Sequence, residues 1–595
     1  MKVRWSHARW LAALAFSCGF ASSQTICPPT PEFSVCELVF DIPSAPTNKP
    51  LDLAADFRSP KANTFRAPAF WDGGTKWVMR YSPAETGTHA FRLLGSVDGF
   101  SGKQGEITAT AAPATHPGWL QPANLHHFAF VDGLIYTPAL YMGALVPGFA
   151  EMDLARWKAL VDERAGQHFN HLGVTLVDAS GTSTFRKPEF FRAAEEKIAY
   201  ANSHGITIDL AFFGPDLLAR LLPATSDRRE WFAYALSRLA AFDIVWQGIE
   251  AWESDPDGHA HLKEIADYLK AFDPYKRIST TRTLSTTAPL LADRVDDDWM
   301  HIRAYQTSDD SIGSVEQQVY QYPAINNFSA PDRTPDAFRH HLWNATMNGQ
   351  YPDAAIPDAT SATAVSGNVM KVWYEFMQST RHWELEPFFD IENGRGLQLE
   401  GVEYVVYVEN PGPVTVTVEK HGYDAEWIDP ATGAHTKIKD PCKGETCTAT
   451  PPASGHDWIL HLSREGTKAG MLKSVKFVSR EEDLKLQDIE VDPEKVPFEI
   501  TDPADAGTIS LSKPPTFGVK LKRQSKALQH MTWLWTGEVG ASGHGYRVIA
   551  TGASGTFQIP ANIGVDYPAG LHVRLYAMNG LGKVYSLDRN YTLTK

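Results

Sequence analysis

The chain has 595 residues and a formal net charge of −15, with 43% hydrophobic and 21% charged residues. These proportions are ordinary for globular proteins, so they argue against wholesale disorder and against a bundle of membrane-spanning helices. The acidic balance also argues against a nucleic-acid partner, because such binding draws much of its affinity from Lys and Arg side chains that neutralise phosphates. At roughly 100 to 200 residues per domain, the length predicts about three to five domains.

The first residues have the pattern of a secretory signal. Three Lys or Arg residues within the first nine positions precede an apolar stretch from Trp10 to Phe20, and small residues follow at 21–23. A basic segment, a short apolar segment and a small-residue cleavage site distinguish a signal peptide from a membrane span. We therefore predict that residues 1–23 are a signal peptide and that the mature protein is secreted or periplasmic. A lipid anchor on Cys18 is the less favoured alternative.

Four cysteines remain after this segment, and they form two close pairs in the sequence. Because export leads to an oxidising compartment, we predict the local disulfides Cys27–Cys36 and Cys442–Cys447. Neither pair has further Cys or His residues at the spacing of a zinc site. The adjacent His340 and His341 would point about 100° apart on a helix, which makes them poor ligands for one metal ion. We predict no metal and no cofactor.

The next predicted elements form a β-sandwich, and two more β modules follow near the end of the chain. Residues 32–112 alternate short apolar runs with turn residues at a period of two, which is typical of a small antiparallel sandwich. A similar pattern returns at 391–465, where Tyr404–Val408 and Val414–Val418 are clear strand signals. A further β module is predicted at 498–595.

Strands alternate with helices between residues 117 and 390. The clearest helix runs from Gly258 to Phe272, with its apolar residues on one face and an Asp-Pro pair at its end. The predicted strands are Asn170–Asp178, Ile206–Phe213, Asp243–Ile249, Arg277–Thr281, Met300–Tyr305 and Tyr322–Phe328. This alternation predicts a (β/α)₈ TIM barrel flanked by β-sandwich domains. A doubly wound sheet is the alternative, although the sequence has no glycine-rich phosphate loop to support it.

Several short motifs occur in a characteristic order along the chain. They are Phe70–Gly74, Tyr81–Pro83, Phe338–Ala345, Asn348–Pro352, Trp383–Pro387 and Glu426–Pro430. Their order resembles that of the apiosidase-like glycoside hydrolases. These exported bacterial proteins carry an N-terminal sandwich of unknown function, a clan A type barrel and a C-terminal sandwich labelled as collagen-binding. The resemblance covers residues 35–465 and leaves the last β module outside it.

The resemblance implies a retaining mechanism with one carboxylate after the fourth barrel strand and another after the seventh. One group protonates the departing oxygen while the other attacks the anomeric carbon. The matching positions here hold Ala251 and Asn327, which cannot serve in these roles. We therefore predict that Glu250 or Glu253 supplies the general acid/base. The second carboxylate is left unassigned.

Other polar and aromatic residues near the predicted strand ends are candidates for substrate contacts. The predicted set is Asp178, Asp209, His171, Trp246, Trp252, Asn327 and Tyr305. Asp178, Asp209 and Asp216 are also alternative catalytic carboxylates, although an Asp at a strand end commonly caps the following helix. Trp246 is equally compatible with a core position. Glu384 and Glu386 are expected to make structural hydrogen bonds.

Two functions remain open from the sequence. The first is an exported glycoside hydrolase that acts on a polysaccharide or oligosaccharide by a two-carboxylate mechanism. The second is a non-catalytic carbohydrate-binding protein on a degenerate barrel, which Ala251 and Asn327 favour. A matrix-adhesion protein is disfavoured, because the collagen-binding label names a sandwich and a fold does not fix a function. Attachment to a polymer or a cell surface is a hypothesis for residues 498–595.

Overall fold

The structure is a computed structural model. It describes residues 25–42, 52–97, 99–133, 135–255, 257–282, 299–305, 312–329, 334–355, 361–464, 489–523, 528, 531–540, 547–552, 554–561 and 566–595. The predicted signal peptide lies outside these residues. Within them, no helix has both the length and the apolar character needed to cross a membrane.

The first nine strands form two sheets that share one core. They are β1 Thr25–Ile26, β2 Thr30–Pro31, β3 Cys36–Asp41, β4 Leu53–Arg58, β5 Thr64–Pro68, β6 Phe70–Trp71, β7 Lys76–Tyr81, β8 Gly87–Gly95 and β9 Gln104–Thr110. The sheet orders are β1-β3-β7-β6 and β2-β9-β8-β4-β5. Leu38 and Met79 from the first sheet pack with Phe57 and Leu93 from the second, which makes this part a β-sandwich. Cys27 and Cys36 form a disulfide at its edge.

An antiparallel meander precedes the parallel strands, where β/α alternation was expected from residue 117. Its strands are β10 Trp119–Ala123, β11 His127–Asp132 and β12 Ile135–Ala139, in that order in the sheet. Ala123 and Ala129 pack on Trp383, which lies much further along the chain. The sequence prediction was wrong for this stretch, because its short apolar runs pair with each other rather than with the strands that follow.

A parallel sheet forms the centre of the molecule. Its strands are β13 Gly143–Leu145, β14 His171–Val177, β15 Thr207–Phe213, β16 Ile244–Trp246, β17 Arg303–Tyr305, β18 Ala324–Ser329 and β19 Gln350–Ala355. The order in this seven-stranded sheet is β16-β15-β14-β13-β19-β18-β17, so the first parallel strand lies beside the last. The arrangement is a partial barrel of parallel strands.

Eight α-helices accompany these strands in the described part of the chain. They are α1 Leu154–Gly166, α2 Pro188–Ser203, α3 Leu217–Leu221, α4 Thr225–Leu239, α5 Gly258–Phe272, α6 Ile312–Val319, α7 Pro335–Met347 and α8 Ser361–Gln378. The predicted helix at 258–272 is confirmed as α5. The predicted strand Arg277–Thr281 is present as isolated parallel bridges, from Ser279 to Trp246 and from Arg282 to Glu250.

Buried ion pairs join the first sandwich to two of these helices. Glu195 of α2 contacts Arg80 of β7 at 2.8 Å and Arg238 of α4 at 2.5 Å. Arg238 also contacts Asp72 at 2.9 Å. Because the side chains of Glu195, Arg80 and Arg238 are all less than a tenth exposed, these contacts fix the sandwich against the helices.

A second sandwich follows the parallel strands. Its strands are β20 Glu386–Phe388, β21 Ile391–Glu392, β22 Arg395–Leu399, β23 Glu403–Val408, β24 Val414–Thr417, β25 Tyr423–Ile428, β26 His435–Ile438, β27 Cys442–Lys443, β28 Thr446–Ala449 and β29 Trp458–Arg464. The sheet orders are β20-β22-β23-β29-β25-β26 and β21-β24-β28-β27. Cys442 and Cys447 form a disulfide across β27 and β28. Arg339 of α7 pairs with the buried Asp457, which ties this sandwich to the helix.

The last strands form a third pair of sheets. They are β30 Phe498–Ile500, β31 Thr508–Ser510, β32 Thr516–Leu521, β33 Thr532–Gly540, β34 Arg547–Gly552, β35 Thr556–Gln558, β36 Ala569–Met578 and β37 Val584–Thr594. The sheet orders are β30-β32-β35 and β31-β37-β36-β33-β34. These strands are called the C-terminal module below.

The C-terminal module packs directly on helix α6. Leu534 of β33 and Met578 of β36 share a buried cluster with Val315 and Val319 of α6. Ala324 at the start of β18 belongs to the same cluster. The module therefore covers an apolar surface of the central part of the molecule.

We expect Leu534→Ala to lower the free energy of unfolding by about 2 to 5 kcal/mol, because it leaves a cavity at a fully buried position. Urea unfolding followed by tryptophan fluorescence measures the change. Leu581→Ala in the same module is the matched control, since Leu581 is 66% exposed and its truncation should change stability by no more than about 0.5 kcal/mol. Equal losses in the two variants would contradict the packing of the module on α6.

Candidate functional site

Glu250 lies at the carboxyl-terminal edge of the parallel strands. It follows β16 by four residues, and its backbone N–H donates to the carbonyl of Phe213, the last residue of β15, at 3.0 Å. Its carboxylate accepts a hydrogen bond from the hydroxyl of Thr175 on β14. Glu250 is partly exposed. The side chain therefore reaches across the ends of neighbouring strands at the edge where barrel enzymes place their catalytic groups.

The residue after Glu250 has an unusual backbone conformation. Ala251 has φ 50° and ψ 40°, which is the left-handed region, and its N–H donates to the carbonyl of Arg282 at 3.0 Å. An L-residue with a Cβ pays roughly 1 to 2 kcal/mol for this conformation. Such strain tends to persist at functional sites, where the surrounding structure holds it. The strained position directly follows Glu250, the residue that the sequence predicts as one of two candidates for the acid/base.

Glu253 and Tyr305 are placed only through their backbones. Glu253 lies in the short 3₁₀ helix Trp252–Ser254, and Tyr305 ends β17. Their side chains lie outside what the structure describes, so their proposed roles stay predictions. Trp252 is 8% exposed and belongs to the central hydrophobic core.

Trp246 occupies the core position that the sequence left open beside a substrate contact. Its side chain is fully buried, its ring stacks on Phe212 at 5.1 Å, and its indole N–H donates to Asp273 at 2.9 Å. Asp273 directly follows α5. Trp246 therefore points out of the sheet, toward the helix layer.

His171 and Asp209 form a buried network away from the strand ends. His171 is the first residue of β14 and Asp209 is the third of β15, so neither stands at the carboxyl-terminal edge. Asp209 accepts a hydrogen bond from the Tyr141 hydroxyl at 2.6 Å and lies 3.0 Å from His171 Nδ1. Both residues are at most 2% exposed. Their burial in this network argues against the predicted contacts with substrate.

Asp178 follows β14 at the same edge as Glu250, but its Oδ1 is occupied by a local turn. This oxygen accepts the backbone N–H groups of Ser180 at 2.9 Å and Gly181 at 3.2 Å. It also accepts the hydroxyl of Ser180. Asp178 therefore stabilises a turn, while the N-cap of the following 3₁₀ helix is Ser180, so the helix-capping role that the sequence left open for Asp178 is not observed.

Asn327 and a carboxylate that the sequence analysis missed face the same buried space. Asn327 of β18 is in register with Asp353 of β19, which is in register with Gly143 of β13. Asn327 and Asp353 are at most 1% exposed, and their side-chain N and O atoms have no hydrogen-bond partner among the described residues. A Cβ at Gly143 would lie 2.7 Å from Asp353 Oδ1, so the glycine leaves room for this carboxyl group.

Burial, together with the nearby Asp209, raises the pKa of Asp353 to about 7, against the lowering effects of Arg282 and His171. Asp353 directly follows the motif Asn348–Pro352. An ionisable residue inside a buried strand is the signal by which the sequence could have pointed to it. Asp353 was missed because the residues around it come from distant parts of the sequence.

Asp353 should lower the free energy of unfolding as the pH rises from about 4 to about 7, because the folded chain keeps a proton on Asp353 that the unfolded chain releases. Burial lowers the pKa of His382 to about 3, which acts in the opposite direction over the same range, so the contribution of Asp353 is read as the difference between two chains. Relative to the unchanged protein, Asp353→Asn should gain up to about 4 kcal/mol of stability across this range. Urea unfolding across this pH range tests it. Asp267→Asn, at an exposed position of α5, is the control, and an unchanged slope in Asp353→Asn would overturn the prediction.

Glu386 and Glu384 make the structural contacts that were expected of them. Glu386 lies 3.0 Å from His126 Nδ1 and 3.2 Å from His127 Nε2, and it accepts from Gln317 at 3.1 Å. Burial alone would raise the pKa of Glu386, but the two histidines hold it well below its usual range. Glu384 pairs with Arg381.

No cluster of metal-binding side chains occurs among the residues that the structure describes.

Comparisons with known proteins point to one class of fold. Residues 30–94 match the model of a domain of unknown function, DUF5060. The structure is similar to that of a candidate glycoside hydrolase from Bacteroides vulgatus ATCC 8482, with a TM-score of 0.61 and 16% sequence identity over 73% of this chain and 100% of that chain.

A glycoside hydrolase family 5 protein from the same organism is also similar, with a TM-score of 0.50 and 12% identity over 58% of this chain and 94% of that chain. No curated protein matches the chain. The chain therefore has a glycoside hydrolase-like fold with a DUF5060 domain near its beginning.

Proposed function

We propose that this protein is an exported glycoside hydrolase that acts on a polysaccharide or oligosaccharide, with Glu250 as its general acid/base. The observation that carries the proposal is the position of Glu250. Its carboxylate lies at the carboxyl-terminal edge of the parallel strands, is held by Thr175 and remains partly exposed. The similar solved structures of glycoside hydrolases support the same class of substrate.

The proposed scaffold is a complete (β/α)₈ barrel. Segment 278–282 bridges to Trp246 of β16 through Ser279, and the carbonyl of Ser279 accepts the N–H of His301 at 2.8 Å. His301 lies just before β17. These contacts support an eighth parallel strand between the two edge strands of the sheet. The apiosidase-like assignment, the predicted domain limits and the collagen-binding label of the second sandwich belong to the same proposal.

In this reaction Glu250 protonates the glycosidic oxygen as the bond to the anomeric carbon breaks. The hydrogen bond from Thr175 fixes the carboxyl group, so that little ordering is needed when substrate binds. The second carboxylate stays unassigned, because Asn327 occupies the position that the resemblance indicates. Glu253 remains the alternative acid/base.

A non-catalytic carbohydrate-binding protein is the second candidate. Asn327 favours it, since a buried amide with no partner among the described residues can donate to and accept from a sugar hydroxyl but cannot act as a nucleophile.

An activity screen distinguishes the two candidates. The purified mature protein is incubated with a panel of polysaccharides and aryl glycosides, and released reducing sugar or phenol is measured. Cleavage that saturates with substrate supports the hydrolase, whereas binding without release of product supports the second candidate.

A further inference from the structure

A groove of about 910 Å³ lies between the first sandwich and helices α4 and α5. Its walls come from strands β5 and β6 on one side and from the two helices on the other. It is separate from the strand ends around Glu250. None of the functional residues predicted from the sequence lines it.

Two aromatic rings give the groove an apolar surface. Trp71 of β6 is partly exposed, and its indole N–H donates to the carbonyl of Gly74 at 3.0 Å. Its own carbonyl accepts the hydroxyl of Tyr234 on α4 at 2.8 Å. Phe272, the last residue of α5, is also partly exposed, but it stacks on Tyr268 and Arg229 lies over its ring at 4.9 Å. The indole hydrogen bond to Gly74 orients the ring of Trp71, and the hydroxyl of Tyr234 anchors its backbone.

The rim of the groove carries charges of both signs. Arg66 pairs with Asp56 at 2.7 Å, and Arg186 lies 3.6 Å from Asp227 with both side chains about half exposed. Glu230 also lines the groove, so the charges of the rim are close to balanced. A balanced rim gives no preference for an anion or a cation. It does offer charge-assisted hydrogen bonds to neutral hydroxyl groups. A ligand with apolar ring faces and many hydroxyl groups fits both the rim and the aromatic surface.

The groove is also held rigidly and points toward the strand ends. The buried ion pairs of Glu195 fix the sandwich that forms one wall against the helices that form the other. The lining residues of α4 run from Asp227 to Ser237, which spans about 15 Å at 1.5 Å per residue. Asp227 lies in the first turn of α4, and this helix follows the carboxyl-terminal end of β15. One end of the groove therefore lies on the side of the molecule where Glu250 lies.

We propose that this groove is a second carbohydrate site, which binds a neutral oligosaccharide segment of a polymer by stacking it on Trp71, with Phe272 adding apolar contact. The choice of ligand class rests on the proposed function, but binding in the groove does not require Glu250. The first sandwich thereby has a role in holding the polymer beside the strand ends.

Affinity electrophoresis tests the proposal with the full mature chain. Gels contain xylan, galactomannan, mixed-linkage β-glucan or starch as neutral probes, and polygalacturonate as an anionic probe. We expect at least one neutral probe to retard the protein, and Trp71→Ala to weaken that apparent affinity by roughly tenfold, which corresponds to about 1.4 kcal/mol. Tyr200→Ala, at a partly exposed position of α2, also removes an aromatic ring but lies outside the groove lining, and it should have no effect.

A second variant guards against misfolding of Trp71→Ala. Arg186→Gln changes an exposed rim side chain and should weaken the same interaction without lowering the melting temperature. The proposal is overturned if no neutral probe retards the protein, if polygalacturonate alone does, or if Trp71→Ala and Arg186→Gln both bind as the unchanged protein does.

The outcomes separate this proposal from the proposed hydrolase. Glu250→Gln should keep the retardation by the neutral probe, and Trp71→Ala should keep the cleavage of short aryl glycosides. Retardation without any cleavage would contradict the hydrolase proposal and leave the groove proposal standing. Cleavage with no effect of the groove variants on retardation would contradict the groove proposal and leave the hydrolase proposal standing.

Discussion

Replacing Glu250 with Gln should lower kcat on a polysaccharide by about 100- to 10,000-fold, which is the range for losing one general acid/base. Gln has nearly the same shape and can still accept the hydrogen bond from Thr175, but it cannot deliver a proton to the departing oxygen. The measurement is the initial rate of reducing-sugar release. Because dinitrophenyl glycosides have a leaving group that needs little protonation, the variant should lose much less of its rate on them.

Glu189→Gln is the matched control for this experiment, since Glu189 lies on α2 with its side chain 67% exposed. Its rates should equal those of the unchanged protein. If Glu250→Gln cleaves polysaccharide normally, Glu250 has no acid/base role. A loss in Glu253→Gln would then move the role to the neighbouring carboxylate.

The second large effect is expected from Glu195→Ala, which should destabilise the protein by about 3 to 5 kcal/mol. Glu195 pairs with Arg80 and Arg238 in a region where all three side chains are less than a tenth exposed. Removing the carboxylate leaves two guanidinium groups close together with less negative charge around them. Urea unfolding measures the loss in free energy.

Glu189→Ala on the same helix serves as its control and should change stability by less than about 0.5 kcal/mol. A loss of less than about 1 kcal/mol in Glu195→Ala, the size typical of exposed pairs, would mean that water reaches this junction. Since the two arginines hold the pKa of Glu195 below its usual value despite burial, the stabilisation should also fade as the pH falls into the acidic range.

Elements with strong local signals could be predicted from the sequence, whereas the directions of side chains could not. Helix α5 was predicted at Gly258–Phe272 because one apolar face and a terminal Asp-Pro pair are both visible in the sequence. The environment of Trp246, by contrast, was left open between a core position and a substrate contact. Strand β16 is buried on both faces, so periodicity cannot tell which of its residues point toward the helices.

The candidate site was predictable only where it depends on strand ends. Glu250 follows β16 closely in the sequence, and that proximity was enough to place it at the edge of the sheet. Asp353 acquires its environment from Asp209, Arg282 and His171, which belong to distant parts of the chain. No local sequence pattern predicts that these four residues come together. The predicted strand limits already placed His171 near the start of one strand and Asp209 inside the next. The sequence could not show that the Tyr141 hydroxyl donates to Asp209 or that His171 lies beside the same carboxylate.

The packing of the C-terminal module on α6 bears on how the chain can be divided. A chain that ended at residue 464 would leave Val315 and Val319 of α6 facing water, together with Ala324 at the start of β18. An exposed apolar patch of this kind promotes self-association. The C-terminal module therefore shields part of the central core from water. A protein without this module is expected to aggregate even if the groups around Glu250 are intact.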